Sequence, residues 1–419
     1  MSMNFEFSAH QRELQLTARA FANTHLSGIR ALLRPLTTPE ARFEATRPAY
    51  VAAVEAGYLK AQIPSALGGT FTSLLDFTLI VEELMAVEAS VPLSILSTGL
   101  GLMPLLFFGD PAQCRRFIPP FSRGTGAPLA AVSFSEPDGT ANYHHPDPAL
   151  GFQTSARLEG DEWVLSGKKI WTPHARGWGG SGADLLAVAA RVDLTKPAQE
   201  SLSIILIPGN SPGITVTESI ETVGHPGAEV CIVHYDNVRA PRENLLGQVG
   251  DGIRIAETAF AATAGLVGIM AVGVARKAFD MALQFARNER RGGAVPIIAH
   301  QNVATILADM KAKIEAARYL SWKACDNFDR SRGQHQELSI LSKVFCSELM
   351  LTVITDAMRV VGAEAYRESN GLAELLKDAL AYPLFDGGNV GVRRLQLQRI
   401  LAGADYDPMA AAEGQFTTS

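Results

Sequence analysis

The stretch NVRAPRENLLG, residues 237–247, marks a change of texture in the chain. Behind it lie short β-type runs at residues 129–134, 163–170, 184–192, 203–207, 214–217 and 231–235, separated by clusters of Gly, Pro, Asn and Asp. Ahead of it, from about Asp251, apolar residues recur at helical spacing over residues 251–290, 300–330, 336–362 and 371–403. The breaks between those runs fall at Gly292 and Gly293, at Gly333, and at Asn370 and Gly371. Toward the start of the chain the β texture begins at about Pro128. What precedes it reads as helices, the first opened by a capping box of Ser8 with Gln11. These patterns predict an α+β fold in three parts: an all-helical domain over residues 1–127, a β barrel or sandwich over 128–247, and a four-helix bundle over 248–419.

At 419 residues the chain is long enough to bury large cores, and with 47% hydrophobic and 19% charged residues it has the balance of a globular protein. The formal net charge of −6, with no basic run, argues against a nucleic-acid partner. Cys114, Cys231, Cys325 and Cys346 are far apart and form neither a metal-ligand pattern nor a disulfide framework. No basic n-region and apolar stretch open the chain, and a cytoplasmic location is expected. Residues 91–108 carry no charge over a length that could span a bilayer, but their prolines, glycines and hydroxyls, and the absence of basic anchors, predict a buried helix instead. Glu82 and Glu83, on an otherwise apolar helix from about Leu74, are expected at a solvated edge or in an interhelical salt bridge. No GxGxxG follows a strand, so no Rossmann dinucleotide site is indicated.

Several stretches, in order along most of the chain, resemble the acyl-CoA dehydrogenases. These are the turn Ile63 and Pro64 with Gly68 and Gly69, the loop Ser135-Glu136-Pro137, the strands of WVLSGKKIW at 163–171, NVRAPRENLLG itself, and His300 and Gln301 nine residues before Met310. Within that superfamily the chain looks most like the nitroalkane oxidases. LGGT at 67–70, GLMP at 101–104, SEPDGTAN at 135–142, ARGW at 175–178 and above all YPLFDGGNVGVRR at 382–394 carry this resemblance. Acyl-CoA dehydrogenases have Glu-Gly-Thr where this chain has Asp386, Gly387 and Gly388.

On residue chemistry alone, an Asp before two glycines is a turn former. The resemblance instead implies that Asp386 is the base that removes a proton next to an activating group, with a reach one methylene shorter than Glu. It likewise implies that Arg393 lies beside this base, where a guanidinium favours the ionised carboxylate, and that Thr263 stands where nitroalkane oxidases have a serine that reaches it. FAD is the implied cofactor. Val132 and Ser135 fall at its pyrimidine edge, Trp171 flanks its ring system, and Thr172, Gly362 and Gly387 are further contact positions. Arg291, His300 and Gln301 match residues that hold the pyrophosphate and adenosine from a neighbouring subunit of a homotetramer. One departure stands out. Where the family has a hydroxyl residue two positions after the tryptophan, to bond flavin N5, this chain has Pro173, which leaves Thr172 or His174 to compensate.

The function that the resemblance implies is FAD-dependent oxidation of a nitroalkane to an aldehyde or ketone, with release of nitrite and, through molecular oxygen, of hydrogen peroxide. The alternatives are an acyl-CoA dehydrogenase or oxidase acting on a thioester with the same base, and a flavoprotein that keeps the fold without chemistry.

Overall fold

The computed structural model describes residues 6–137, 143 and 145–414. The part of SEPDGTAN beyond Pro137 lies outside the described residues.

The first part contains α1 (Ala9–His25), α2 (Ile29–Leu33), α3 (Pro39–Glu55), α4 (Leu74–Met85), α5 (Ser90–Phe108), α6 (Pro111–Phe117) and α7 (Pro119–Ser122). Ser8 and Gln11 close the capping box at the start of α1. The apolar helix α5 packs between α9 of the third part (Gly252–Asn288) and the first strand of the second, with most of its length buried. Like α9 and α11 (Glu337–Val361), it is long and apolar enough to cross a membrane by length and composition, but two-thirds of its apolar window is covered by the rest of the chain.

Glu82 and Glu83 of α4 are both buried, at 2% and 1% exposure, so an interhelical salt bridge and not a solvated edge accounts for them. Arg276 of α9 reaches Glu82 at 2.7 Å and Glu83 at 2.8 Å; Arg318 of α10 (Gln301–Arg330) forks onto Glu82, and Arg19 of α1 onto Glu83. Burial alone would raise the pKa of Glu83, but Arg19 and Arg276 hold it below the ordinary carboxylate range. Each buried anion keeps two cations, the condition under which such charges are tolerated in a core.

The second part holds β1 (Ala130–Ser133), β2 (Ser155–Glu159), β3 (Glu162–Pro173), β4 (Leu185–Arg191), α8 (Ala198–Ser201), β5 (Leu202–Ile207), β6 (Ile214–Ser219), β7 (Val230–Pro241) and β8 (Leu245–Leu246). Strands run in the order β6-β7-β3-β2-β4-β5-β8, with β1 parallel to β4. β2 and β4 meet at one residue pair, Ser155 with Arg191, so the sheet folds there into two layers. Ser133 on β1 ties the layers together, its hydroxyl 3.0 Å from Thr172 Oγ1 on β3 and 2.8 Å from Tyr235 Oη on β7. β2 and β8 do not stand out in the sequence: SARLE buries only one of its five side chains fully, and β8 is two residues long.

The third part is built on α9, α10 and α11, which pack on one another. The expected fourth helix, 371–403, is not continuous. It is split into α12 (Leu372–Ala379), a turn, a π-helical turn (Asn389–Arg393) and α13 (Arg394–Leu401), before a short α14 (Ala410–Glu413). Pro383 cannot continue a helical ladder, and Asp386 and Gly387 both adopt left-handed backbone, with φ of 52° and 72°. The helical spacing carries across this break because α12 packs on α11 and α9 and α13 packs on α11. The break itself is where the site lies.

Candidate active site

Asp386 sits at the tip of that turn with its side chain only 3% exposed. Asp is among the few non-glycine residues that tolerate left-handed backbone. In this conformation the side chain faces α9. Thr263 of α9 donates its hydroxyl to Asp386 Oδ1 at 3.0 Å, and Arg393 Nη2 donates to Oδ2 at 3.0 Å. Arg393 is 1% exposed and is locked by further bonds from Nε to the Asp386 carbonyl (2.9 Å), from Nη2 to the Phe260 carbonyl (3.0 Å) and from Nη1 to Gln396 Oε1 (3.1 Å). The π-helical turn is what aims it. Gly388 O accepts from both Val392 N and Arg393 N, and the added residue rotates Arg393 inward while Arg394 points outward to Glu348. Arg393 is thus a buried cation, whereas its neighbour Arg394 is a surface one. Burial pushes the Asp386 carboxyl above the ordinary carboxylate range, against the pull of Arg393, Lys343 and the Thr263 hydroxyl. Asp386, Arg393 and Thr263 thus form one hydrogen-bonded group.

Gly387 belongs to this turn. Its carbonyl accepts from Lys343 Nζ at 3.0 Å, and a Cβ there would lie 3.1 Å from Arg393 Nε. The sequence reading missed Lys343, Phe260 and Gln396. Of these only Lys343 leaves a signal, as a lone charge in the apolar run of α11.

The residues expected along FAD fall into two sets. In the first, Trp171 is 53% exposed with left-handed backbone, set outward by a bulge in the β3–β7 register between Lys169 and Thr172. Ser135 is half-buried, its carbonyl taken by Ile170 N and its hydroxyl without a partner among the described residues. Val132 lies on β1, which pairs with β4 along one edge and with no described strand along the other. An outward indole, an unbonded hydroxyl and an open strand edge suit a flat heterocycle with a hydrogen-bonding rim, so these residues fit a flavin. Thr172 does not belong to this surface. It is fully buried, facing the sheet interior where its hydroxyl bonds Ser133, and His174 is likewise buried, stacked on Phe43. Alternation after the bulge places Pro173 on the Trp171 face, so neither neighbour supplies the missing hydroxyl there.

In the second set, Arg291 follows α9 with left-handed backbone and donates from its guanidinium to Val361 O at the end of α11. Gly362, at φ 70° and ψ −144°, passes so close that a Cβ would lie 2.9 Å from Arg291 Nη2. A cavity of about 420 Å³ opens beside them, lined in part by Phe285, Glu289, Val361 and Asn370, whose Oδ1 is buried without a partner among the described residues. His300 and Gln301 are exposed at the start of α10, on the far side of the connection that carries Arg291. A planar cation, a bare glycine and an orphan acceptor around a cavity fit the phosphate and adenosine portion of a dinucleotide. From Thr263 to Asn288, the last residue of α9, is 25 residues, about 38 Å at the rise of a helix, so the second set lies far from the base turn.

Among the described residues no group of His, Cys, Asp and Glu could hold a metal ion, and all four cysteines are buried and unpaired.

Comparison with known proteins agrees with this geometry. Residues 8–125, 131–238 and 250–402 match the N-terminal, middle and C-terminal domain models of acyl-CoA dehydrogenase. The nitroalkane oxidase of Podospora anserina is 42% identical over 99% of this chain and the whole of its own length, and that of Fusarium oxysporum is 39% identical over 98% of each. The structure superposes at a TM-score of 0.93 on the flavoprotein nitroalkane oxidase, including an active-site mutant crystallised with 1-nitrooctane, with 38% identity over 98% of this chain and all of the other. The chain belongs to the nitroalkane oxidases, FAD-dependent enzymes of the acyl-CoA dehydrogenase superfamily.

Proposed function

We propose that this protein oxidises a nitroalkane to the corresponding aldehyde or ketone, and that Asp386 begins the reaction by removing the proton α to the nitro group. The observation that carries the reading is the Asp386–Arg393–Thr263 group, a buried carboxylate aimed by a hydroxyl and a guanidinium in a chain built like the nitroalkane oxidases.

The carboxylate takes the proton, and the negative charge leaves Asp386 for the substrate, which becomes a nitronate. Burial makes Asp386 a stronger base than an exposed Asp, while Arg393 keeps it ionised and leaves a positive charge in place as the anion moves. Thr263 holds one oxygen, leaving the other lone pairs of the carboxylate to meet the proton. Trp171, Ser135 and Val132 would hold the flavin ring, and Arg291, Gly362, His300 and Gln301 would hold the distal end of the FAD of a second subunit, consistent with a homotetramer. FAD, when bound, supplies the two-electron oxidation, and oxygen takes the electrons on to hydrogen peroxide. With water as the remaining reactant, nitrite leaves and a carbonyl product balances the equation.

Anaerobic mixing with nitroethane or 1-nitropropane should bleach the bound flavin, and aerobic turnover should release nitrite and peroxide. Asp386→Asn should keep FAD yet lose about 10²- to 10⁴-fold in rate on neutral nitroalkane, while preformed nitronate still bleaches the flavin. Bleaching by an acyl-CoA and not by nitroalkanes would replace this reading with the dehydrogenase one.

A further inference from the structure

Lys343 has no role in the reaction as described, yet it is placed against its base. It is fully buried on α11, and among the described residues no carboxylate lies within ion-pair distance of its Nζ. Its bonds go to two points of the base turn: Gly387 O at 3.0 Å and Asn389 Oδ1 at 2.6 Å. Asn389 in turn donates to Ser347 Oγ (3.0 Å) and Glu348 Oε1 (3.1 Å), so α11 clamps the turn from the side opposite α9.

A buried ammonium without a contact counter-ion needs an anion close by. Burial pushes Lys343 down to about 7, and Asp386 is the leading charge that opposes the fall, ahead of Glu348; Arg393 and Arg394 act the other way. Lys343 in turn favours the ionised Asp386. Glu348 is an unsuitable partner, because it is engaged by both nitrogens of Arg394 at the surface. Asp386 therefore stands between two cations, one bonded to its carboxylate and one bonded to its turn.

We propose that Lys343 is a positioning residue for proton abstraction, its ammonium serving as the second cation that keeps Asp386 ionised while pinning the left-handed turn that aims it. The inference rests on Asp386 being the base. It assigns to α11 a part in the chemistry that contact with substrate does not reveal.

The test uses Lys343→Met, which removes charge and donor, Lys343→Gln, which removes charge alone, and Lys343→Arg, which keeps charge, all as FAD-loaded proteins. In Met and Gln variants the acid limb of the kcat/KM profile on neutral nitroalkane should move up by about one pH unit, a loss of about tenfold below the limb. Turnover of preformed nitronate should stay within about twofold, and Lys343→Arg should hold the limb near the wild-type position. Independently of turnover, the infrared carboxyl band that disappears in Asp386→Asn should titrate at higher pH in Lys343→Gln than in wild type. An unmoved limb and an unmoved band would overturn the proposal, as would equal loss on both substrates or loss of FAD from both neutral variants, which would make Lys343 a structural residue only. If the wild type itself fails to oxidise nitroalkanes, the functional reading fails first, and the infrared comparison alone decides the effect of Lys343 on Asp386.

Discussion

Thr263→Val tests how Asp386 is tuned with little change of shape, since a methyl replaces a hydroxyl on the same branched side chain. The hydroxyl carries one proton and has two acceptors in reach, Asp386 Oδ1 at 3.0 Å and the Phe260 carbonyl at 3.2 Å. A hydrogen bond to a charged group contributes roughly 1.5–3 kcal/mol. Because the proton is shared, the lower end applies, and about 1.4 kcal/mol corresponds to one pKa unit. The bond favours the ionised carboxylate, so removing it raises Asp386 further in the direction that burial already pushes it. The acid limb of kcat/KM on fresh neutral nitroethane should therefore move up by about one pH unit. Below the limb the rate should fall by about tenfold; well above it the variant should match wild type within about twofold, since a stronger base compensates for the looser geometry. Stopped-flow flavin bleaching under anaerobic conditions reads this directly, with nitronate as the internal control and Thr263→Ser expected to behave as wild type. A uniform loss at every pH, or a loss equally large on nitronate, would refute the argument that the hydroxyl acts on the carboxylate.

Other substitutions probe the surroundings. Pro173→Ser returns a hydroxyl to the Trp171 face; it should shift the visible band of the bound flavin and alter its rate of bleaching with a change in melting temperature of no more than a few degrees. Gly362→Ala sets a Cβ against Arg291 and forces left-handed backbone on alanine; it should weaken FAD retention on gel filtration by about tenfold while leaving the acid limb in place. Glu136→Gln removes the partner of the buried Lys169 (Nζ to Oε1, 2.9 Å) and loosens the loop that carries Ser135; loss of about 3 kcal/mol of stability should appear as a markedly lower inactivation temperature. Burial alone would raise Glu136, yet Lys169 and the Gln153 and Thr154 amides hold it below the ordinary range, so the wild type loses this contribution only as pH falls through that depressed value.

The three-part order of the chain was legible because helical and β spacing differ over long runs, and the base turn was legible through its resemblance to a known stretch. Three kinds of feature were not. Apolar spacing over 371–403 reads straight through Pro383, Gly387 and Gly388, because periodicity records which side chains are covered and not whether the backbone between them is helical. Thr172 was placed by resemblance, which carries no register: the bulge after Lys169 resets the strand alternation and turns its side chain inward. Lys343 shows the third limit. A charge in an apolar run announces that something compensates it, but its partner lies 44 residues away in Gly387, and only folding brings them together.

The length of α9 has a consequence for the assembly. If one rod carries Thr263 at one cofactor and leads to Arg291 at another, no subunit owns a complete catalytic unit. Co-expressing an Asp386→Asn chain with a Gly362→Ala chain would then repair a share of the centres by complementation, as each chain lends its neighbour the end it still has intact. Dissociating such an oligomer would then extinguish colour and turnover together.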